Sequence, residues 1–339
     1  MLFLFISYAI TVMLAYFIIR LFIEKLEIDH LEKRPILITG CDSGFGKLLA
    51  LKCLSRGMPV FAGCLTENGM DDLRLEAKKL QHGQLYTIQM DVTNDESVKK
   101  TYKYIEQHLN GGGLHAIVNN AGVAGNTLYD DFLTVDDYKN TAEVNTWGVV
   151  RVSQTFKPLV KRTRGRIVTI ASMLDRISIP NIGPYTVSKY AVNAYCDIIR
   201  RELHHFGVSV HTLEPGFFQT AIIDHKATTN RMQKTWERAP ESVKEEYGQE
   251  FLRMTEFQMS ELLSQISSPH VEIVVDALFH ALTAKFPRSR YVIGKDANYL
   301  AVPFSHLHTD IQDAIMIALQ YLRGAPKPAA ANRLPKIIQ

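Results

Sequence analysis

The feature that most narrows the folds open to this chain is a regular alternation of short apolar runs with longer helical stretches. "RPILITG" reads as a buried strand closing on a glycine, "FGKLLALKCLSRG" as a helix ended by Gly57, and "MPVFAGCL" as a second strand. A helical pattern near residues 69–80, the strand "QLYTIQMDV", a helix near 95–109 and the strand "LHAIVNNAG" follow, and a further helix leads to "RIVTIAS". Strands and helices in this rhythm imply βαβ units, and so an α/β, doubly wound parallel sheet with helices on both faces. No composition shift divides the run, so residues 34–310 are expected to form one domain, with 24–33 as a linker and 311–339 as a terminal helix and tail. The stretch 217–268 breaks the rhythm. It is polar and helix-prone and follows a strand end, where insertions cover a ligand crevice; it is expected to be a helical lid. "IQDAIMIALQYL" is too short to span a bilayer and reads as a packed terminal helix, with a membrane or a second copy of the chain as other contacts.

The amino terminus stands apart. "MLFLFISYAITVMLAYFII" carries no charged side chain before Arg20. About 19 helical residues would span roughly 28 Å, close to a bilayer core. A cleaved leader would want a basic start and a small-residue cleavage site, and neither is present. Residues 1–23 are therefore expected to be a retained membrane anchor. Lys25, Lys33 and Arg34 follow it while no Lys or Arg precedes it, which places the globular part on the cytosolic side. Elsewhere the basic residues are scattered and the net charge is only +3, so no nucleic-acid footprint is indicated. Cys41, Cys53, Cys64 and Cys196 show no CxxC spacing and no clustering with histidine, so neither a disulfide frame nor a metal site is expected.

In "ITGCDSGFGK", Gly40, Gly44 and Gly46 fall between a strand and a helix. Glycines there let the backbone turn tightly and approach a pyrophosphate, which the helix amino terminus attracts. TGxxxGxG at Thr39–Gly46, NNAG at Asn119–Gly122, Asn145, Ser172, Tyr185, Lys189 and "EPGFFQT" at 214–220 together resemble the short-chain dehydrogenase/reductase family, in order, over about residues 34–300. Within it, "CLTENG", "AEVNTWGVVRV", "RRELHHFGVSV" and "EPGFF" are similar to the membrane-bound retinol and hydroxysteroid dehydrogenase branch. "VFAGCL", and "SML" with Arg176 two residues on, also resemble 3-hydroxybutyrate dehydrogenase.

The resemblance implies a Rossmann-type fold that binds a nicotinamide dinucleotide. The residues implied to hold it are Thr39, Gly40, Asp42, Ser43, Gly44, Phe45, Gly46, Cys64, Asp91, Val92, Asn119, Ala121, Gly122, Tyr185, Lys189, Pro215 and Gly216. Asn145, Ser172, Tyr185 and Lys189 would be catalytic: Tyr185 exchanges the alcohol proton, Lys189 holds the ribose, Ser172 bonds the substrate oxygen and Asn145 holds a relay water. A free phenol, with a pKa of about 10, is a poor base at neutral pH. An ammonium one helical turn away is expected to stabilise its phenolate and lower that value. Ser172, Arg176, Phe217 and Phe218 are the substrate candidates, with Trp236 and Phe251 as further aromatic residues for the same pocket. The end of the second strand, Cys64-Leu65-Thr66, offers neither the acid that favours NAD nor the arginine that favours NADP. The lack of a basic residue there and at Asp42-Ser43 favours NAD, with NADP as the alternative.

An anchor beside an apolar lid suits a lipophilic alcohol such as retinol or a hydroxysteroid. The resemblance points to the endoplasmic reticulum, with a mitochondrial membrane as the alternative. A short hydroxy acid whose carboxylate pairs with Arg176, and a catalytically silent nucleotide-binding scaffold, are the rival functions.

Overall fold

The computed structural model describes residues 2–80 and 82–332. Seven strands form one parallel sheet: β1 (Ile36–Thr39), β2 (Val60–Cys64), β3 (Leu85–Gln89), β4 (Ala116–Asn119), β5 (Arg166–Ile170), β6 (Ser209–Pro215) and β7 (Arg290–Ile293). Their spatial order is β3-β2-β1-β4-β5-β6-β7, so the winding reverses between β1 and β4. Helix α1 (Leu2–Ile23) precedes the sheet; α2 (Gly44–Ser55), α3 (Glu67–Ala77), α4 (Asp95–His108), α5 (Val135–Ala142), α6 (Gly148–Thr163) and α7 (Gly183–Leu203) connect strands. Helices α8 (His225–Glu237), α9 (Glu241–Tyr247), α10 (Gln249–Ile266) and α11 (Glu272–Thr283) fill the segment before β7, and α12 (Val302–Ser305) and α13 (Thr309–Leu322) follow it.

Strands β1, β2, β4 and β5 are buried at every position because both faces of the sheet are covered. Successive residues point to opposite sides. Ile36 and Ile38 pack with Leu49 and Cys53 of α2 and Leu278 and Leu282 of α11. Leu37, between them, packs with Ile105 of α4, Phe156 of α6 and Ile199 of α7. The same alternation runs through Val60-Phe61-Ala62 and Ala116-Ile117-Val118. The doubly wound sheet expected from the alternation is the one observed.

Three terminal features differ from expectation or stand apart. Helix α1 covers the proposed anchor, but several of its side chains lie outside the described residues. Among the described residues no helix is long and apolar enough to cross a membrane. The stretch 24–33 is not a free tether. Ile28 N donates to Thr283 O at 2.8 Å and Lys285 N to Leu26 O at 2.7 Å. The Glu24 carboxylate accepts from both Arg288 Nε, at 2.6 Å, and Arg288 Nη2, and a His280 ring nitrogen lies 2.8 Å from Glu24 O. Helix α13 is not the packed terminal helix expected: none of its residues is buried, and Ile311, Ile317, Tyr321 and Leu322 are exposed.

Candidate active site

The reversal between β1 and β4 opens a crevice of about 770 Å³ at the carboxyl ends of the strands, a size and position suited to a dinucleotide. Gly40 leaves β1 with φ +69°, and a Cβ there would lie 2.8 Å from Ala121 Cα, so only glycine lets the two loops meet. Ser43 precedes α2 without a side-chain cap bond, which leaves the first-turn amides and the positive end of the helix facing the crevice. Gly44, Phe45, Val92, Ala121, Gly122, Pro215 and Gly216 line the same space. The Asp42 carboxylate accepts from Leu65 N (2.8 Å), Thr66 N (2.9 Å) and Thr66 Oγ1 (2.8 Å), so it organises the loop after β2. Asp91 also lines the crevice and holds its own turn by accepting from Thr93 N at 2.9 Å.

Four dinucleotide candidates lie behind this wall. Cys64 is fully buried, because the last inward position of β2 faces the core, and Leu65 and Thr66 reach the crevice in its place. Asn119, at the buried end of β4, donates to Ser153 Oγ (3.0 Å) and Thr169 Oγ1 (3.3 Å). Thr39 Oγ1 accepts from Asn120 N (3.0 Å) and Ala121 N (3.1 Å), tying β1 to β4. Gly46 makes room: a Cβ there would sit 2.3 Å from Asn120 Nδ2. Asn120 is the residue the sequence reading missed. Its amide donates to Thr39 O (2.8 Å) and Gly40 O (2.9 Å) and fixes the cradle. Period-two alternation carried past the strand end would have marked it as the crevice-side member of the pair.

The reactive groups come together. Ser172, Tyr185 and Lys189 all line the crevice, and Lys189 Nζ lies 5.5 Å from the centre of the Tyr185 ring. Lys189 is buried and donates to Ile170 O at 2.9 Å. Asn145 sits on a π-turn, Glu143–Trp147, joining α5 to α6, an irregularity that re-aims a side chain out of the helix register. Its amide donates to Val123 O (2.9 Å) and Ser188 Oγ (3.0 Å) and its oxygen accepts from Val123 N (2.8 Å). The side chain thus braces the loop after β4 against α7. Gly122 admits the close approach, since a Cβ there would lie 3.2 Å from Asn145 Oδ1 and 3.9 Å from Lys189 Nζ.

The expected lowering of the phenol is overturned in the protein alone. Burial pushes Tyr185 up to about 12, a hydrogen bond from Ser172 pulls it back, and the charge of Asp175 raises it again. Burial likewise pushes Lys189 down to about 8, partly offset by Asp175. Desolvation dominates both shifts. Protein alone therefore holds Tyr185 as a proton donor, the form that carbonyl reduction uses.

A second, smaller apolar chamber shares Ser172 and Tyr185 with the crevice and is lined by Met173, Leu174, Ile179, Ile182, Phe217 and Leu263 among others. Phe217 therefore faces this chamber, and Phe218 faces the crevice, 6.3 Å edge-to-face from Phe45. Arg176 turns away. Its Nε donates to the buried Glu214 at 2.5 Å, Arg290 pairs with the same carboxylate, and Arg176 is absent from the lining of both the crevice and the chamber. Trp236 and Phe251 do not line the chamber either. They form a separate core with Phe132, which stacks 5.2 Å from Trp236. Arg231, which sequence reasoning missed, lines both spaces.

Four likenesses bear on this geometry. A family model described as "short chain dehydrogenase" matches residues 34–231. The chain is 39% identical over 316 residues to the human protein named 17-beta-hydroxysteroid dehydrogenase type 6, covering 93% of this chain and 96% of that one. It is 38% identical to the rat protein named retinol dehydrogenase 7, with 93% and 96% covered. A solved short-chain dehydrogenase/reductase from Burkholderia phymatum, in complex with NAD, matches with a TM-score of 0.67 at 22% identity, covering 84% of this chain and 97% of that one, and so supports the fold. A glycine-lined cradle at the switch point, with a serine, a tyrosine and a lysine converging beside it, is thus held by a member of the short-chain dehydrogenase family.

Proposed function

We propose that this protein is a nicotinamide-dependent oxidoreductase that interconverts a lipophilic alcohol, of the retinol or hydroxysteroid type, and its carbonyl. The observation that carries this reading is the position of Ser172 and Tyr185, which belong at once to the dinucleotide-sized crevice and to the apolar chamber. A carbon held in the chamber stands beside whatever fills the crevice. The dinucleotide, when bound, supplies the hydride acceptor.

The chain's own residues do the rest. Ser172 Oγ directs a hydrogen bond to the reacting oxygen. Tyr185 gives that oxygen its proton in reduction and takes it in oxidation. Lys189 anchors the ribose and keeps a positive charge near the phenol. Asn145 holds the backbone on which both stand. The names of the two relatives, one a hydroxysteroid and the other a retinol dehydrogenase, support the substrate class. Arg176, committed to Glu214, removes the support for a short hydroxy acid.

NAD is the favoured nucleotide. Asp42 places a carboxylate against Leu65 and Thr66, where a 2′-phosphate would meet like charge, and no lysine or arginine lines that end of the crevice among the described residues. Residues 1–23 are assigned as a membrane anchor with the catalytic part toward the cytosol, at the endoplasmic reticulum. Phe5, Tyr8, Met13, Leu14 and Phe22 of α1 are exposed apolar residues, which suits lipid rather than water. A panel of retinol, hydroxysteroids and 3-hydroxybutyrate with NAD and with NADP, read by absorbance of the reduced nicotinamide, tests the assignment. Turnover of 3-hydroxybutyrate alone would overturn it. Carbonate extraction and protease protection of the full chain test the anchor and its sidedness.

A further inference from the structure

Two residues on the wall of the apolar chamber each hold a buried polar atom that this chemistry does not use. Arg231, on α8, lines the chamber and the crevice. Its Nη2 donates to Ile222 O (2.9 Å) and Thr228 Oγ1 (2.8 Å), while its Nε is buried without a hydrogen-bond partner among the described residues. Thr127 lines the same chamber at 3% exposure, and its Oγ1 is likewise buried without a partner. Their sequence neighbours Leu128 and Met232 pack in one cluster, which brings the loop carrying Thr127 against the helix carrying Arg231.

A guanidinium in an apolar wall is costly when one of its donors has no acceptor. Burial does lower the hold of Arg231 on its proton, and Asp224, which caps α8 at Ala227 N, offsets this only through space. Leu174, Ile179, Ile182, Leu262 and Leu263 are apolar; of the hydroxyls on the same wall, Thr228 already accepts from Nη2 and Ser172 and Tyr185 belong to the reacting centre, so none among the described residues takes Nε. The missing acceptor is one that a ligand would bring.

We propose that Arg231 and Thr127 form a second polar contact for the substrate, taking an oxygen remote from the reacting carbon on a rigid lipophilic alcohol. The inference rests on the proposed function and deepens it. It selects a steroid with oxygen at both ends of the ring system over a retinoid, whose far end is hydrocarbon. Arg231 donates to that oxygen, and the Thr127 hydroxyl either donates or accepts, so a ketone and a hydroxyl both fit.

The test compares androsterone, with a ketone on the far ring, against androstanol, the same alcohol without it. In the wild-type enzyme kcat/KM for androsterone is expected to exceed that for androstanol by about tenfold or more, as for a hydrogen bond to a charged group. In Arg231→Met the ratio falls toward one. In Thr127→Val, which keeps the side-chain shape, it falls severalfold, and this variant decides the matter if the methionine variant has a lowered melting temperature. Nucleotide affinity is measured alongside by fluorescence titration. Equal kcat/KM for the two steroids in the wild type overturns the proposal. So does an Arg231→Met variant that loses nucleotide affinity as strongly as androsterone turnover, because the guanidinium would then serve a phosphate. Oxidation of retinol with neither steroid accepted overturns it while leaving the proposed function standing; no lipophilic alcohol accepted removes both.

Discussion

The nucleotide half and the substrate half of the crevice are built by different means. The first is backbone brought close to backbone: Gly40 against Ala121, Gly46 against Asn120, and Thr39 bonded to two amides of the loop after β4. The second is a set of helices added after β6, held by their own core of Met232, Trp236, Tyr247, Phe251 and Leu252 against Leu128 and Phe132. A cradle of the first kind tolerates almost no added volume, because its contacts are already at van der Waals distance. A wall of the second kind can be re-lined without touching the sheet. One fold can therefore keep one cofactor while its substrate changes.

The largest effect should come at the seam between the halves. Tyr185→Phe is expected to lower turnover about 10²–10⁴-fold, the range for losing a positioned acid or base, while nucleotide affinity shifts far less. Steady-state kinetics with fluorescence titration checks this, and retained turnover would remove Tyr185 from the chemistry. Next is Phe251→Ala, which opens the core of the helices added after β6 at a cost of about 3–5 kcal/mol. Its expected signature is a fall in kcat/KM for the lipophilic alcohol with the nucleotide dissociation constant unmoved. Equal losses in both would break the comparison.

Gly46→Ala should show the reverse pattern. Its Cβ would lie 2.3 Å from Asn120 Nδ2, and relieving such overpacking costs about 1–3 kcal/mol. Nucleotide affinity is expected to drop about tenfold or more while the added helices stay folded.

The smallest effect is acid loosening of the added helices. Asp137 is buried, which alone would raise its carboxyl, but bonds from Arg238 at the end of α8, Asn126 and Thr134 hold it down at about 2. A depressed carboxyl contributes stability above its ordinary value of about 3.9 that is lost as pH falls toward the depressed one. Proteolysis within 237–248 is thus expected to quicken between about pH 4 and 2. Asp137→Asn should lose most of that dependence; an unchanged acid profile in the variant would dismiss the tie.

What could be read from the sequence follows the same division. The cradle was legible because its residues lie close together along the chain and their spacing encodes a turn. Tyr185 and Lys189 were legible because one helical turn fixes their adjacency. Arg176 was misread since its partner, Glu214, is 38 residues on and only the pairing of β5 with β6 brings them together. Trp236 and Phe251 were assigned to the pocket because an amphipathic helix does not state which surface it covers. Arg231 escaped notice for a related reason, as one arginine among many on a polar-looking segment. The shift of Tyr185 was missed because it depends on how much water is excluded, a property of the assembled site.

The bonds between residues 24–28 and the strap around Thr283 and Arg288 have a mechanical consequence. A slack leash would let α1 and the catalytic unit turn independently. A neck sewn into the body makes the two turn as one, so that under the anchor proposed above the tilt of α1 would dictate the height and heading at which the entrance meets the lipid.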